Sequence, residues 1–120
     1  MYFFDSSAVI EILKDNEGVI NRYKGNTIVT INLGYGEIYY YCIKEGINRE
    51  KFRSIIFEII DYNLEDIEKA MELLYRRKRE TKDFSFVDSL IYTVASKMGA
   101  ILVTKDLGLK GLPDVELIPN

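Results

Sequence analysis

The chain has no histidine and only one cysteine, Cys42, among its 120 residues. Without histidine, neither a Ser-His-Asp triad nor a Cys-His pair can form, and a zinc site would lack its usual nitrogen ligands. One cysteine cannot form a disulfide within the chain, so we expect a reducing compartment and a buried, structural thiol. The ligands that remain are carboxylate oxygens, which suit hard cations such as Mg²⁺ and Mn²⁺.

Long apolar runs are also missing from the sequence. No segment approaches the roughly 20 residues that a membrane-spanning helix needs. The segment Met1–Asp5 lacks the basic and apolar regions of a signal peptide. We therefore expect a soluble, cytoplasmic protein with no membrane contact. The net charge of −3 does not favour nucleic-acid binding, although local basic patches matter more than the sum.

The composition is that of one ordinary folded domain. Apolar residues make up 48% of the chain and charged residues of both signs make up 29%. This mixture provides a sizeable core and argues against disorder. With no linker, repeat or low-complexity segment, residues 1–120 are predicted to form a single domain.

Short strands alternate with helices along the chain. We predict strands over 2–4, 27–31, 57–62, 100–103 and 115–118, of which 57–62 fits a helix equally well. Helices are predicted over 8–14, 17–24, 33–45, 49–57, 64–82 and 86–98. Asn16, Asn32 and Asn48 are expected to cap three of them. Strands separated by helices favour parallel pairing, so the predicted fold is an α/β/α sandwich with a short parallel sheet of about five strands.

Four acids lie where such a fold gathers its functional groups: Asp5, Glu37, Asp88 and Asp106. Asp5 and Asp106 end predicted strands, and Asp88 lies in the first turn of a helix that starts near the same edge. Because ligands bind at the carboxyl ends of parallel strands, we expect these side chains to converge. Carboxylates ~5 Å apart repel by ~3 kcal/mol per pair at an effective dielectric constant near 20. The cluster should therefore take up protons or bind a cation.

Helix capping is an equally open explanation for three of these acids. Asp5 and Asp106 can cap helices, and Ser85-Phe-Val-Asp88 matches a capping box. Glu37 lies too far inside its helix to cap it. Its apolar neighbours suggest a position toward the buried side, where an acid needs a partner.

Three segments together resemble the PIN domain, the nuclease fold of VapC-type toxins in type II toxin–antitoxin pairs. They are YFFDSSAVIEIL at the start, TINLGYGEIYY in the middle and FSFVDSLIYTVASKMGAILVTKD near the end. The resemblance covers essentially the whole chain. It places the family's acidic positions on Asp5, Glu37, Asp88 and Asp106, and its small polar positions on Ser7 and Thr104.

The resemblance implies an endoribonuclease that uses Mg²⁺ or Mn²⁺ to hydrolyse RNA phosphodiester bonds. The three aspartates would ligate the metal, Glu37 would ligate it or orient the attacking water, and Ser7 and Thr104 would fix the carboxylates. An RNA substrate, a cognate antitoxin and a homodimer are the implied partners.

The sequence departs from the family pattern at two places. Gly34 and Gly36 stand where alanine is more usual, which is expected to loosen the helix around Glu37. No further acid follows Asp106 within Leu107–Leu109, so the number of metal ions stays open.

A basic run offers a means of attracting RNA to an acidic site. It comprises Arg76, Arg77, Lys78, Arg79 and Lys82. Phosphate contacts by these residues would make binding salt-sensitive. A purely solvated role is also open, because cations at the end of a helix favour its negative pole.

Four tyrosines crowd the helix around Glu37: Tyr35, Tyr39, Tyr40 and Tyr41. They cannot all face inward. We expect some of them to pack in the core and the others to stack on bases or to line a subunit interface.

Other functions fit the same fold. A receiver module or a haloacid-dehalogenase-type phosphatase needs a second acid beside the first, and Asp5-Ser6-Ser7 has none. A PIN-type module that binds RNA or protein without catalysis, and an RNA-processing nuclease without an antitoxin, both stay open. The presence of all four acids argues against the inactive module.

Overall fold

The computed structural model describes residues 1–119. Its strands are β1 (Tyr2–Phe4), β2 (Ile28–Thr30), β3 (Phe57–Ile59), β4 (Ile101–Thr104) and β5 (Val115–Leu117). Its helices are α1 (Ser6–Leu13), α2 (Glu17–Arg22), α3 (Asn32–Glu45), α4 (Arg49–Arg53), α5 (Leu64–Arg77) and α6 (Phe86–Lys97), and a 3₁₀ turn follows β4 at Leu107–Leu109. The predicted order of strands and helices is confirmed, including the ambiguous β3. Within residues 1–119, no helix has both the length and the apolar character needed to cross a bilayer.

All recorded strand pairs are parallel. β4 lies between β1 and β5, with Leu102 opposite both Phe3 and Val115. β2 pairs with β3, and β1 lies beside β2. Hydrogen bonding thus divides the five predicted strands into a three-stranded sheet, β1-β4-β5, and a two-stranded sheet, β2-β3. The carboxyl ends of β1 and β4 therefore lie next to each other, which brings Asp5 close to the loop that contains Asp106.

Helices cover both faces of the sheet. Successive strand residues point to opposite sides, so alternate residues of a strand pack against different helices. Phe3 and Leu102 belong to one buried cluster, which is packed against α5 and α6. Phe4 and Val103 belong to a second cluster, which includes residues of α1 to α4. The predicted three-layer α/β/α sandwich is therefore confirmed.

Cys42 lies in the second of these clusters as a buried free thiol. Burial raises the pKa of the Cys42 thiol, which disfavours the reactive thiolate. The predicted structural character of this cysteine agrees with its position.

The predicted capping role of Asn32 is wrong. The helix begins at Asn32 itself, and Ile31 precedes it as an N-cap without a side-chain hydrogen bond. The Asn32 Oδ1 atom instead accepts a hydrogen bond at 3.0 Å from the Tyr62 hydroxyl. Asn16 and Asn48 do cap α2 and α4, as predicted.

Two helices end earlier than predicted. α4 stops at Arg53, where the Ser54 hydroxyl donates to the Lys51 carbonyl at 2.6 Å. α5 stops at Arg77 rather than at residue 82, and the chain continues in a tighter turn in which the carbonyl of Arg77 accepts the amide of Glu80 at 2.9 Å. The basic run therefore extends from the last turn of α5 into the following loop.

The two glycines of α3 differ in their surroundings. A Cβ atom at Gly34 would lie 2.5 Å from Thr30 Oγ1, whereas one at Gly36 would meet nothing within 4 Å. Thr30 is fully buried, and its hydroxyl has no hydrogen-bond partner among the described residues. Gly34 is thus required by the Thr30 side chain, while Gly36 only lowers helix propensity.

We expect Gly34→Ala and Gly36→Ala to have opposite effects on stability. Gly36→Ala should raise the free energy of unfolding by about 0.5–1 kcal/mol, the usual helix preference for alanine over glycine. Gly34→Ala should lower it, because the new methyl group overlaps the Thr30 hydroxyl. Urea denaturation measures both changes, and adding Thr30→Ala should relieve the overlap in the Gly34→Ala protein. Equal stabilities of the two single variants would contradict this packing.

Candidate active site

Asp5 follows β1 directly and is only 3% exposed. Its carboxylate accepts hydrogen bonds from Ser7 Oγ at 2.6 Å, from the Ala8 amide at 3.1 Å and from the Thr104 hydroxyl. Asp5 therefore does cap α1. Burial nevertheless raises the pKa of Asp5 to about 6, against the effect of these hydrogen bonds, and the charge of Asp106 raises it further.

Two hydroxyl groups connect Asp5 to the loop after β4. Thr104 Oγ1 donates to Asp5 and accepts the Asp106 amide at 2.9 Å. Ser7 Oγ donates to the other carboxylate oxygen and accepts the Lys105 amide at 2.8 Å. These are contacts that would fix a carboxylate in place. The role of Ser7 and Thr104 beside a metal stays a prediction.

Asp88 and Asp106 both contribute to the start of a helical segment and are electrostatically coupled. Asp106 Oδ1 accepts the Gly108 amide at 2.8 Å at the start of the 3₁₀ turn. Asp88 and Ser85 form a capping box, with both hydrogen bonds at 3.1 Å. Burial, with a smaller contribution from nearby Asp106, raises the pKa of Asp88 to about 7. Capping and clustering thus occur together.

The prediction that Glu37 lies toward the buried side is wrong. It is exposed on α3, because Gly34 and Ile38 take the inward positions. Its Oε1 atom accepts a hydrogen bond from Ser6 Oγ at 2.9 Å, which links it to the start of α1 beside Asp5. The sequence analysis missed Ser6, although its place next to Asp5 was a usable signal.

An open groove of about 620 Å³ separates Glu37 from the start of α6. Its lining residues include Leu33 and Tyr40 of α3 and Val87, the residue before Asp88. Tyr40 is 64% exposed there, whereas Tyr35 and Tyr39 pack against Phe52 with ring centres 5.3 Å apart. Tyr39 and Tyr41 are partly buried against the second core cluster, whereas Tyr35 and Tyr40 are exposed, so the expected division holds although none of the four is fully buried.

The cluster offers oxygen ligands only, and these suit a hard divalent cation. A cation would also offset the burial and the repulsion by Asp106, which together raise the pKa of Asp5 and of Asp88. As the side chains stand, no group of three or more possible ligands within residues 1–119 is spaced to hold a metal ion. Their oxygens are turned toward hydroxyls and amides instead. The residues therefore fit a metal chemically, and binding would replace some internal hydrogen bonds.

The basic run does not form one surface. Arg76, Lys78, Arg79 and Lys82 are exposed, and Arg79 stacks on Tyr75 with its Cζ 5.0 Å from the ring centre. Arg77 is half-buried, and its guanidinium donates to the carbonyls of Gly108 and Lys110. RNA contact by these residues stays a prediction.

Lys105, next to the cluster, is paired with Glu11, a buried acid of α1. The sequence analysis did not single out Glu11. Its signal was its position four residues after Ser7, on the same face of α1. This pair neutralises a cation that could otherwise compete for the carboxylates of the site.

The arrangement of strands, helices and acids can now be compared with known proteins. The profile of the PIN domain matches residues 2–114. The chain belongs to the PIN domain family. A comparison with curated protein sequences finds no match.

Three solved structures that resemble this PIN domain are described as toxins or toxin–antitoxin complexes. VapBC2 from Rickettsia felis, bound to a DNA fragment from the promoter, has a TM-score of 0.75 at 22% identity, over 98% of this chain and 96% of that one. VapC20 from Mycobacterium tuberculosis, a toxin that cleaves the sarcin-ricin loop, has a TM-score of 0.72 at 19% identity, over 99% and 100%. A toxin–antitoxin complex from Klebsiella pneumoniae has a TM-score of 0.68 at 18% identity, over 97% and 96%. At these identities, the likeness establishes the shared fold.

The raised pKa of Asp88 predicts how stability depends on pH in metal-free buffer. The unfolded chain loses this proton near the ordinary value of 3.8, while the folded protein keeps it up to about 7. The stabilising contribution of the protonated form is therefore complete below about pH 4 and is lost as pH rises through about 7. Thermal melts in chelator should show Asp88→Asn gaining stability over the wild type as pH rises.

Asn at position 88 can still accept the Ser85 amide, so helix capping is retained. Asp61→Asn, an exchange at an exposed acid outside the cluster, serves as the control and should follow the wild-type curve. Parallel curves for Asp88→Asn and the wild type would contradict the prediction.

Proposed function

We propose that this PIN domain protein is a Mg²⁺- or Mn²⁺-dependent endoribonuclease and the toxin of a toxin–antitoxin pair. The observation that carries the proposal is the convergence of Asp5, Asp88 and Asp106: Thr104 bonds both Asp5 and the Asp106 amide, and Asp106 lies near enough to Asp88 to help raise its pKa. These residues are far apart along the chain, and clustering them costs stability through burial and repulsion. Acids with pKa values perturbed by burial and by neighbouring charges are typical of functional sites.

In the proposed mechanism, Asp5, Asp88 and Asp106 would hold a divalent cation. The chemistry supplied by such an ion would be polarisation of the phosphoryl oxygen and activation of water near neutral pH without a histidine base. Ser7 and Thr104 keep Asp5 oriented through their hydroxyls. Ser6 holds Glu37 at the groove, where Glu37 would be a further ligand or would orient water.

The toxin assignment is supported by the structural neighbours, which are described as toxins or toxin–antitoxin complexes. By extension, we propose an RNA substrate, a cognate antitoxin, a homodimer and a cytoplasmic location. The exposed residues Arg76, Lys78, Arg79 and Lys82 are the proposed phosphate contacts.

The internal hydrogen bonds of the carboxylates favour a second candidate function. A PIN-type module that binds RNA or protein without cleaving it needs no open metal ligands, and no three acids within residues 1–119 are spaced as ligands. Metal binding separates the two functions.

For the nuclease, we expect saturable Mn²⁺ binding by calorimetry and RNA cleavage that a chelator abolishes. Asp5→Asn, Asp88→Asn and Asp106→Asn should each lower both by about 100-fold or more, since loss of an outer-shell partner alone costs about 10–100-fold. Asp61→Asn should bind and cleave as the wild type does. A wild-type protein whose melting temperature is the same with and without Mn²⁺ would favour the binding module.

Replacing Arg76, Lys78 and Lys82 together by alanine should weaken RNA binding and its salt dependence. For single-stranded RNA, the slope of log affinity against log salt should become shallower by up to about 2, at roughly 0.7 per lost phosphate contact. Fluorescence anisotropy at several salt concentrations measures the slope, and Mn²⁺ affinity should not change. An unaltered slope would exclude these residues as phosphate contacts.

A further inference from the structure

The side chain of Arg77 joins segments that lie beside the acidic cluster. Its Nε donates to the Gly108 carbonyl at 2.8 Å, and a terminal nitrogen donates to the Lys110 carbonyl. Its Cζ lies 5.3 Å from the ring centre of Phe84, a buried residue just before α6. The main-chain carbonyl of the same residue accepts the Glu80 amide at 2.9 Å in the turn that follows α5. Arg77 therefore contacts both the loop after β4 and the segment before α6.

Gly108 connects this junction with the acidic cluster. Its amide donates to Asp106 Oδ1 at 2.8 Å, while its carbonyl accepts from Arg77. A Cβ atom at Gly108 would lie 2.8 Å from the Asp83 carbonyl oxygen, so the two segments are in direct backbone contact. The contact thus joins the segment that contains Asp106 to the segment that leads to Asp88.

We propose that Arg77 is a positioning residue of the nuclease site. It fixes the separation of Asp88 and Asp106 by holding Gly108 against Asp83, and it acts without touching substrate or metal. The inference rests on the proposed function, because a fixed carboxylate separation matters to catalysis through the cation that the carboxylates hold. The planar guanidinium engages two carbonyls and a ring face at once, and the compact ammonium of lysine cannot reproduce this.

This role differs from the phosphate contact that the basic run predicted for Arg77. A phosphate contact depends mainly on charge, so Arg77→Lys would keep much of it. Positioning depends on the planar fork and on stacking over Phe84, so Arg77→Lys would lose it. The lysine variant therefore separates the two roles.

Three measurements on the full chain test the proposal: a Mn²⁺ titration, amide hydrogen exchange in the metal-free protein, and kcat and KM on an RNA oligonucleotide. For Arg77→Lys we expect Mn²⁺ affinity to fall about tenfold or more, as for other outer-shell losses. Exchange at the Gly108 amide should become faster, and kcat should fall while KM changes little. Arg77→Ala should behave alike, and Arg77→Lys decides the matter if the alanine variant does not fold.

Lys69→Ala is the matched control, because it removes a cation of α5 that pairs with Glu65 at 3.3 Å on the surface. It should match the wild type in all three measurements. Wild-type Mn²⁺ affinity or unchanged Gly108 exchange in Arg77→Lys would overturn the positioning role. Absence of Mn²⁺ binding by the wild type would instead overturn the proposed function. The wild-type titration alone gives this result, so the two failures are distinguishable.

Discussion

The parallel pairing of β1 with β4 is the constraint on which the site depends. Phe4 lies opposite Val103, and the Asp5 amide donates to the Val103 carbonyl at 3.2 Å. This register puts Asp5 within reach of the Thr104 hydroxyl. A slip of one residue would turn the side chains of the shifted strand to the opposite faces, so that Phe3 and Phe4 would each enter the wrong core cluster. The two core clusters therefore enforce the register that assembles the acids.

The acidic cluster opposes the stability that these cores provide. Burial raises the pKa of Asp5 and of Asp88, so their charged forms are disfavoured in the folded protein. Hydrogen bonds from Ser7 and Thr104 offset part of this cost at Asp5, and the capping box does so at Asp88. Each of the three aspartates thus has two roles, one in capping a helix or turn next to the sheet and one as a member of the cluster.

Local patterns in the sequence predicted most elements of the fold, because alternation and capping depend on neighbouring residues. Asn16 caps α2 and β3 forms as expected. The failures involve partners that are distant in the chain: the Asn32 side chain bonds Tyr62 rather than capping, and Arg77 reaches the loop after β4. The prediction for Glu37 relied on its apolar neighbours and was wrong. The buried face of α3 includes Gly34, which packs against Thr30, and this contact is not visible in the local sequence.

The double use of the aspartates affects how relatives with degraded activity should be recognised. A chain under no selection for hydrolysis would still gain stability from an acid that caps α1 or the turn after β4, or that completes the capping box of α6. Glu37 stands in mid-helix with no such scaffolding duty. Loss of the corresponding glutamate in a homologous protein would therefore be stronger evidence that catalysis has been lost than retention of the three aspartates would be that catalysis is intact.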